Sequence, residues 1–165
     1  MRNESGFTFA EVMTVIAIIA IISSVAIPGV IGWLPKYRLG SAAREILSTI
    51  EHARLTAVKQ NVSVGLSFAT GNDTYRLWID NGAGSGAADD AAENGDELVV
   101  KNGQIPSGID MTAALFGAAP RFRFNGMGIP IYTDGSFGGG SIVLVNQRGD
   151  SRTVVLTNGG NGRIQ

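Results

Sequence analysis

The apolar stretch from Val12 to Leu34 constrains this chain more than any other feature, because it contains no ionisable side chain. A helix rises about 1.5 Å per residue, and about 20 apolar residues are enough to cross a bilayer. We therefore predict a membrane-spanning helix near the N-terminus. A secretory signal peptide is the main competing interpretation. It fits poorly because Arg2 is the only basic residue ahead of the stretch, the stretch is too long, and no small-x-small cleavage site follows it before Trp33.

One carboxylate, that of Glu11, lies at the start of this apolar stretch. A charge inside a membrane helix costs on the order of 2.5 to 3.5 kcal/mol on insertion scales, and it is retained mainly where a partner neutralises it. If the chain were cut after Gly6, the new amino group would belong to Phe7, four residues before Glu11. The same amino group on a neighbouring subunit would then supply the cation. The sequence therefore predicts an ion pair between subunits at this position.

These N-terminal residues resemble the class III signal of type IV prepilins and type II secretion pseudopilins. The resemblance rests on a short polar leader ending in Gly6, the sequence FTFAE at positions 7–11, the aliphatic run and Pro28. It implies that a prepilin peptidase cleaves after Gly6 and methylates the amino group of Phe7. It also implies that Glu11 directs assembly and that Pro28 kinks the helix. The pair FA within FTFAE departs from the more usual large aliphatic residues, and an ordinary signal anchor with a chance glutamate is the alternative.

The charges that flank the apolar stretch bear on the orientation of the chain in the membrane. Lys36, Arg38 and Arg44 follow the stretch, whereas the leader offers only Arg2 and the initiator amine. By the positive-inside rule, the excess of cations after the stretch favours a cytoplasmic location for the residues that follow it. The resemblance implies the opposite orientation, with the leader in the cytoplasm and the C-terminal domain in the periplasm. We therefore expect a single-pass protein of the bacterial inner membrane.

The composition argues against several classes of function. Cysteine is absent, so neither a disulfide framework nor a thiolate metal site can form. A single histidine, His52, leaves little basis for triad or zinc chemistry, and we expect it to be a plain surface residue. The formal net charge of -1 argues against a globally basic nucleic-acid binder. A membrane-tethered enzyme would need a nucleophile and a base, and no such set is evident, so we expect no enzymatic activity, cofactor or metal.

Beyond the apolar stretch, apolar residues recur at three- and four-residue steps, which is the pattern of one helix face. These residues are Leu39, Ala43, Ile46, Ile50, Ala53 and Ala57. The helix is expected to continue to about Gln60, with a bend or local unwinding at Pro28 and Pro35. We divide the chain into a leader (1–6), a transmembrane and assembly helix (7–34), an amphipathic helix (35–60) and a periplasmic β domain (61–165).

After Asn61 the apolar period changes to two, which is typical of β-strands. Residues 62–68 and 75–79 alternate on either side of a turn, which predicts a β-hairpin. Further strands are expected at 97–100, 105–111, 121–124, 141–145 and 152–157. One long N-terminal transmembrane helix that continues into an amphipathic helix packed on an antiparallel β-sheet is the α+β arrangement of pilins.

The remainder of the chain resembles the GspH/FimT family, which contains the minor pseudopilin H of type II secretion and related minor type IV pilins. The matching residues are ARLTAV at 53–58, FRF at 122–124 with Gly126 and Gly128, the strand at 153–156, and Gly162-Arg163. The resemblance implies a structural subunit of the type II secretion pseudopilus. Its partners would be prepilin peptidase, other major and minor pseudopilins and an inner-membrane assembly platform. A minor type IV pilin that acts in pilus assembly or DNA uptake is the alternative.

Three further motifs fall in predicted loops. Segment 80–96 is rich in small residues and acids, which predicts a mobile loop. Its five carboxylates raise calcium binding as a hypothesis, but their spacing does not fit an EF-hand, so we expect them to be solvated. The tripeptide RGD at 148–150 is expected to form a turn. The glycine run at 138–140 lacks a following helix and lysine, so it is not a phosphate-binding loop.

Arginines near the C-terminus raise the question of nucleic-acid binding. Some minor pilins of this family bind DNA through a C-terminal Gly-Arg-x-Arg motif, and Gly162-Arg163 matches its first half. Gln165 stands where the second arginine would be. Each lost cation weakens binding to phosphate, so the departure argues against this function. DNA binding is a secondary hypothesis that rests on Arg163 together with Arg121 and Arg123.

Overall fold

The computed structural model describes residues 6–83, 87–93 and 96–165. Its longest element is helix α1, Phe9–Gln60. The backbone stays helical through Pro28 and Pro35, so the local unwinding considered there is wrong. A proline removes a single i→i−4 hydrogen bond, and the bonds on either side continue the helix. The kink at Pro28 stays a prediction.

The chain divides after Pro35 into two compact units, of which the first contains the apolar part of α1. Residues Phe9–Ile27 are long and apolar enough to cross a membrane, and none of this span is buried within the protein. Ile21 and Val25, for example, are 68% and 76% exposed. A helix that is apolar on all sides is typical of a segment surrounded by lipid or by other helices.

The second unit, Lys36–Gln165, combines the rest of α1 with β-strands. The strands in the described residues are β1 (Val64–Ala69), β2 (Thr74–Ile79), β3 (Val99–Gln104), β4 (Ile109–Leu115), β5 (Arg121–Phe124), β6 (Pro130–Ile131), β7 (Gly140–Asn146), β8 (Ser151–Leu156) and β9 (Gly162–Ile164). They form a five-stranded sheet of order β3-β2-β1-β5-β6 and a four-stranded sheet of order β4-β7-β8-β9. Every pairing is antiparallel. The predicted α+β fold is confirmed, with two sheets in place of one.

One hydrophobic core joins α1 to both sheets. Each apolar position predicted for the helix face is buried: Leu39, Ala43, Ile46, Ile50, Ala53 and Ala57. The same core contains Leu66 of β1 and Ile142 of β7. Phe116 packs against Phe122 with ring centroids 4.5 Å apart and against Phe68 at 5.4 Å. The amphipathic pattern of the helix therefore determines which side of each sheet is covered.

Three predicted strands begin later than expected. Strand β1 starts at Val64 and not at 62, because the Val62 N–H is bonded to the Ala57 carbonyl of α1 at 3.2 Å. Strand β3 starts at Val99 and not at 97. Residue 97 instead binds the acidic segment, because the Glu97 carboxylate accepts a hydrogen bond from the Gly82 N–H at 2.9 Å. Strand β4 starts at Ile109, because the Ile105 N–H is bonded to the Asp73 carbonyl at 2.8 Å and a turn follows. Strands β6 and β9 were not predicted. They contain two and three residues, too few for an alternating pattern to show.

The described parts of the acidic segment, 80–83, 87–93 and 96, include well-anchored residues. Asp80 is 2% exposed, and its carboxylate accepts hydrogen bonds from the N–H groups of Asp89 and Ala91, both at 2.9 Å. Ala91 is fully buried. These residues correct the prediction that the whole segment is a mobile loop. Its composition did not reveal them, because the bonds join residues nine and eleven positions apart.

The anchored segment lies against the face of the five-stranded sheet opposite the core. Trp78 alternates with the core residue Leu77, is fully buried, and does not belong to the main core. Its ring lies over Gly65 on β1, where an added Cβ would overlap the indole. An ion pair of 2.7 Å from Arg76 to Glu93 ties the segment to β2 on this face. The segment therefore acts as a cover over Trp78.

Candidate functional site

The start of α1 is closed by a reciprocal pair of residues, Thr8 and Glu11. Thr8 Oγ1 accepts a hydrogen bond from the Glu11 N–H at 3.3 Å. Glu11 Oε2 accepts from the Thr8 N–H and from the Thr8 hydroxyl, each at 3.2 Å. This arrangement is a capping box, which satisfies backbone donors that a helix start otherwise leaves unpaired. The carboxylate predicted to direct assembly therefore has a partner within its own chain.

Sequence reasoning missed Thr8, although its signal was present. A threonine three residues before a glutamate, just ahead of an apolar run, is the sequence signature of a capping box. The charge of Glu11 in an apolar stretch gives no indication of this local role, whereas its spacing from Thr8 does. The structure thus adds Thr8 to the candidate assembly site.

The residues on either side of the predicted cleavage position precede the helix. Gly6 and Phe7 are both exposed, and Phe7 exposes 86% of its surface. Among the described residues, apart from Gly6 and its chain neighbours, no atom lies within 4 Å of the position that a Cβ on Gly6 would take. The other residues of the predicted leader, 1–5, lie outside the described residues. The peptide bond between Gly6 and Phe7 therefore lies in accessible, non-helical backbone.

The three arginines considered for DNA binding lie on different sheets. Arg121 and Arg123 are on β5 of the five-stranded sheet, and Arg163 is on β9 of the four-stranded sheet. Arg121 and Arg163 are exposed, whereas the side chain of Arg123 is only 13% exposed. Arg123 bonds to Ser63 Oγ at 3.0 Å and to the Asp89 carboxylate at 3.4 Å. Arg123 therefore helps to hold the acidic segment on the sheet, and phosphate contacts would fall to the other two arginines.

The acidic segment does not gather its carboxylates at one point in its described parts. Among the residues described, no three His, Asp or Glu side chains lie close enough to hold a metal ion. Residues 84–86 and 94–95 of the segment lie outside the description. Burial raises the pKa of the Asp80 carboxyl, while the N–H groups of Ala91 and Asp89 act in the opposite direction. This carboxylate is therefore occupied as an acceptor for the backbone.

The RGD tripeptide forms the turn between β7 and β8, as predicted. Asn146 Oδ1 accepts hydrogen bonds from the N–H groups of Arg148 and Asp150, at 2.9 and 3.0 Å. The Asn146 amide donates to the Asp150 carboxylate at 3.0 Å. Gly149 has a φ of 81°, which glycine adopts without strain. The residue types at these positions are therefore explained by the geometry of the turn.

Comparison with known proteins identifies two matching family models. The model described as "Type II transport protein GspH" matches residues 42–160, and the model described as "Prokaryotic N-terminal methylation motif" matches residues 1–27. The fimbrial protein of Moraxella nonliquefaciens is 32% identical over 80 residues, which are 48% of this chain and 49% of that protein. The chain thus spans about half the length of this curated relative.

Solved structures share the fold at low sequence identity. The minor pseudopilin EpsH from the Type 2 Secretion System of Vibrio cholerae superposes with a TM-score of 0.57 at 9% identity, over 78% of this chain and 96% of that one. The type IV minor pilin FimU of Pseudomonas aeruginosa gives a TM-score of 0.55 at 13% identity, over 79% and 90%. These identities establish a shared fold only, whereas the GspH family model covers most of this chain. The chain therefore belongs to the GspH family, within the superfamily of type IV pilins and pseudopilins.

Proposed function

We propose that this chain is a minor pseudopilin, a non-enzymatic subunit of the type II secretion pseudopilus that assists protein export across the outer membrane. The observation that carries the proposal is the apolar span Phe9–Ile27, none of which is buried within its own protein. Such a surface cannot face water, so it needs lipid before assembly and other apolar helices afterwards. Membership of the GspH family supports the same role.

Processing would convert the capping box into a contact between subunits. Prepilin peptidase would cleave the accessible bond after Gly6 and methylate the new amino group of Phe7. That amino group would then approach the Glu11 carboxylate of a neighbouring subunit, which Thr8 holds before assembly. A carboxylate has several acceptor positions, so it can bind an ammonium group beside the Thr8 donors. The resulting pair would set the axial register of neighbouring helices.

In this proposal the helix crosses the inner membrane once, with the C-terminal domain in the periplasm. An inner-membrane assembly platform would extract the subunit into the growing pseudopilus. Extraction would expose the apolar span unless neighbouring pseudopilin helices cover it at once. The partners are therefore other major and minor pseudopilins together with the platform.

A minor type IV pilin is the second candidate. The identity of 32% to a fimbrial protein favours it, although that match covers about half of each chain. Both candidates use the same exposed helix and the same cleavage position, so they differ in the subunits that they contact. DNA uptake would belong to this second candidate and would rest on the exposed Arg121 and Arg163.

A clean deletion strain separates the two candidates. The amounts of exported proteins in the culture supernatant are measured together with surface pili and DNA uptake, with the wild-type gene restored as a control. We expect loss of protein export with normal pili. Normal export with loss of pili or transformation would instead identify a minor type IV pilin. A strain that is normal in all three measurements would contradict both functions.

A further inference from the structure

We propose that a cluster of basic side chains, where α1 enters the second unit, binds the headgroups of anionic phospholipids in the leaflet from which the domain emerges. We refer to these cations as the basic collar: Lys36 and Arg38 of α1, and Arg148 and Arg152, each two residues from the Asp150 that pairs with Lys36. All four side chains are exposed. The inference rests on insertion of the N-terminal helix into a membrane, which is part of the proposed function.

The collar begins at the depth expected for lipid headgroups. Lys36 follows Leu34, the last residue of the apolar stretch, by two positions in the sequence. A stretch of that length is enough to cross the hydrocarbon core, so a cation that directly follows it is expected among the lipid headgroups. Trp33 and Tyr37 flank Lys36 in sequence and are 57% and 51% exposed. Both residue types are enriched at the interface between membrane and water, which supports this depth.

The turn between β7 and β8 brings two more cations to the same level. Lys36 Nζ lies 3.6 Å from Asp150 Oδ1, which joins the turn to the helix. Arg148 and Arg152 lie two residues before and after Asp150. Asn146 holds the backbone of the turn at Arg148 and Asp150, and pairing with Leu144 of β7 holds the backbone of Arg152. The collar is therefore built from two parts of the chain that are distant in sequence.

A cavity of about 270 Å³ opens between α1 and β8 at this position. Its lining consists of Lys36, Leu39, Asp150, Ser151 and Arg152. Two cations and a hydroxyl offer donors that suit a phosphodiester group, and a guanidinium can bind two of its oxygens at once. The Lys36 ammonium has three donors, so its pair with Asp150 leaves donors for a phosphate.

The net charge at this end of the sheet favours an anionic surface. Among the described residues, Asp150 lies in the cavity lining, and Asp110 is in register with Val145, which pairs with Ser151. The four cations of the collar outnumber these two acids. Basic residues beside a membrane span are attracted to anionic lipids within about one Debye length of the surface. Charge complementarity, in a chain with a membrane-length apolar span, therefore favours an anionic lipid surface.

The collar also gives a role to two cations whose position in the sequence disagrees with the expected orientation of the chain in the membrane. Lys36 and Arg38 follow the apolar stretch, where the positive-inside rule would favour a cytoplasmic location. Cations that bind headgroups on the periplasmic side would stabilise the inserted subunit there. They would hold the domain close to the bilayer until assembly withdraws the helix.

Hydrogen exchange of the full chain in lipid nanodiscs tests this inference. One set of discs contains phosphatidylcholine alone, and the other contains phosphatidylcholine mixed with phosphatidylglycerol. We expect amides of residues 146–152 to exchange at least about threefold more slowly in the anionic discs. Discs of phosphatidylcholine with added inorganic phosphate should show no slowing. Slowing there would identify free phosphate as the ligand and overturn the lipid assignment.

Variants show whether the collar itself is responsible. Arg152→Gln and Lys36→Gln should remove the slowing in anionic discs, and Arg152→Gln leaves the ion pair of Lys36 with Asp150 in place. Lys59→Gln, the same charge change at the other end of the helix, should retain it. If the wild-type chain inserts into both disc types and its amides at 146–152 exchange equally in the two, the collar does not bind anionic lipid. Membrane anchoring would still hold in that case. A chain that enters neither disc would contradict membrane anchoring, and the collar with it.

Discussion

Thr8 holds the Glu11 carboxylate within one chain, through hydrogen bonds of 3.2 Å from its N–H and its hydroxyl. Assembly, as we propose it, requires the same carboxylate to bind the amino group of a neighbouring subunit. In that proposal the capping box would keep Glu11 hydrogen-bonded while the subunit is alone in the membrane, where an unpaired charge is costly. Thr8 would then be a positioning residue for the proposed assembly contact.

Substitution of Thr8 should loosen the first turn of α1. We expect Thr8→Ala to cost about 1 kcal/mol, because an N-cap side chain is lost, whereas Thr8→Ser should retain the cap. Hydrogen exchange of the amides at 9–12 in the full chain, in detergent micelles, measures the change. Thr14→Ala is a matched control, since the Thr14 hydroxyl bonds to the Ala10 carbonyl and caps no N–H. Equal exchange in Thr8→Ala and the wild type would contradict the capping box.

Loss of Asp80 should uncover Trp78. The Asp80 carboxylate binds two N–H groups of the acidic segment, of which that of Ala91 is buried, and a buried donor left without an acceptor costs roughly 1–3 kcal/mol. In a Trp33→Phe background Trp78 is the one remaining tryptophan, since the chain has two. We expect Asp80→Ala to increase quenching of its fluorescence by acrylamide. Asp96→Ala, which removes an exposed acid of the same segment, should leave quenching unchanged. Equal quenching in the two variants would show that Asp80 does not anchor the cover.

Tyr75 should stabilise the contact between α1 and the edge of the five-stranded sheet. Its hydroxyl donates to Glu45 Oε1 at 2.6 Å, and Lys101 Nζ lies 3.5 Å from the same oxygen. Hydrogen bonds to a charged group contribute about 1.5–3 kcal/mol, so Tyr75→Phe should lower the free energy of unfolding by about that amount. Urea unfolding of the full chain in micelles provides the measurement. Glu51→Gln, at an exposed position of the same helix, should change it much less, and equal losses in both variants would contradict a specific role for Tyr75.

The lowered pKa of Asp150 predicts how the stability of the folded protein changes at acid pH. The hydrogen bond from Asn146 holds the pKa of the Asp150 carboxyl below its ordinary value of 3.8, and the charge of Lys36 acts in the same direction. Because the unfolded chain binds this proton at a higher pH than the folded one, acid favours unfolding. The contribution to stability is complete above the ordinary pKa and is lost as the pH falls through the lower, folded pKa.

A carbon NMR titration of the Asp150 carboxyl measures this pKa directly. We expect Asn146→Ala to raise it towards the ordinary value, and Lys36→Gln to raise it less. A titration of Asn146→Ala that coincides with that of the wild type would show that the amide does not stabilise the carboxylate.

Much of the fold could be predicted from local patterns. The buried face of α1 shows in apolar residues from Leu39 to Ala57 at helical spacing, and the hairpin of β1 and β2 shows in strict alternation. Strand β6 gave no such signal, because it consists of Pro130 and Ile131 at the edge of a sheet. Proline is tolerated at an edge, yet in sequence it argues against a strand.

Contacts between distant residues could not be predicted in the same way. Nothing in the local sequence around Arg123 indicates a partner for its side chain. In the structure it lies beside Gly65 on the outer face of the sheet, beneath the acidic segment. The pair of Lys36 and Asp150 joins the helix to a turn near the C-terminus, and no local spacing encodes it. Thr8 is different, because its three-residue spacing from Glu11 is a local pattern that predicts a capping box.

Copurification of the full chain with other pilin-like subunits measures the role of Glu11 in assembly. Wild type, Glu11→Ala and the matched control Glu51→Ala, an exposed glutamate further along α1, are compared after mass spectrometry of their N-termini. We predict that all three are cleaved after Gly6 and that only Glu11→Ala loses its partner subunits. A Glu11→Ala subunit that copurifies as well as the wild type would contradict the proposed assembly contact.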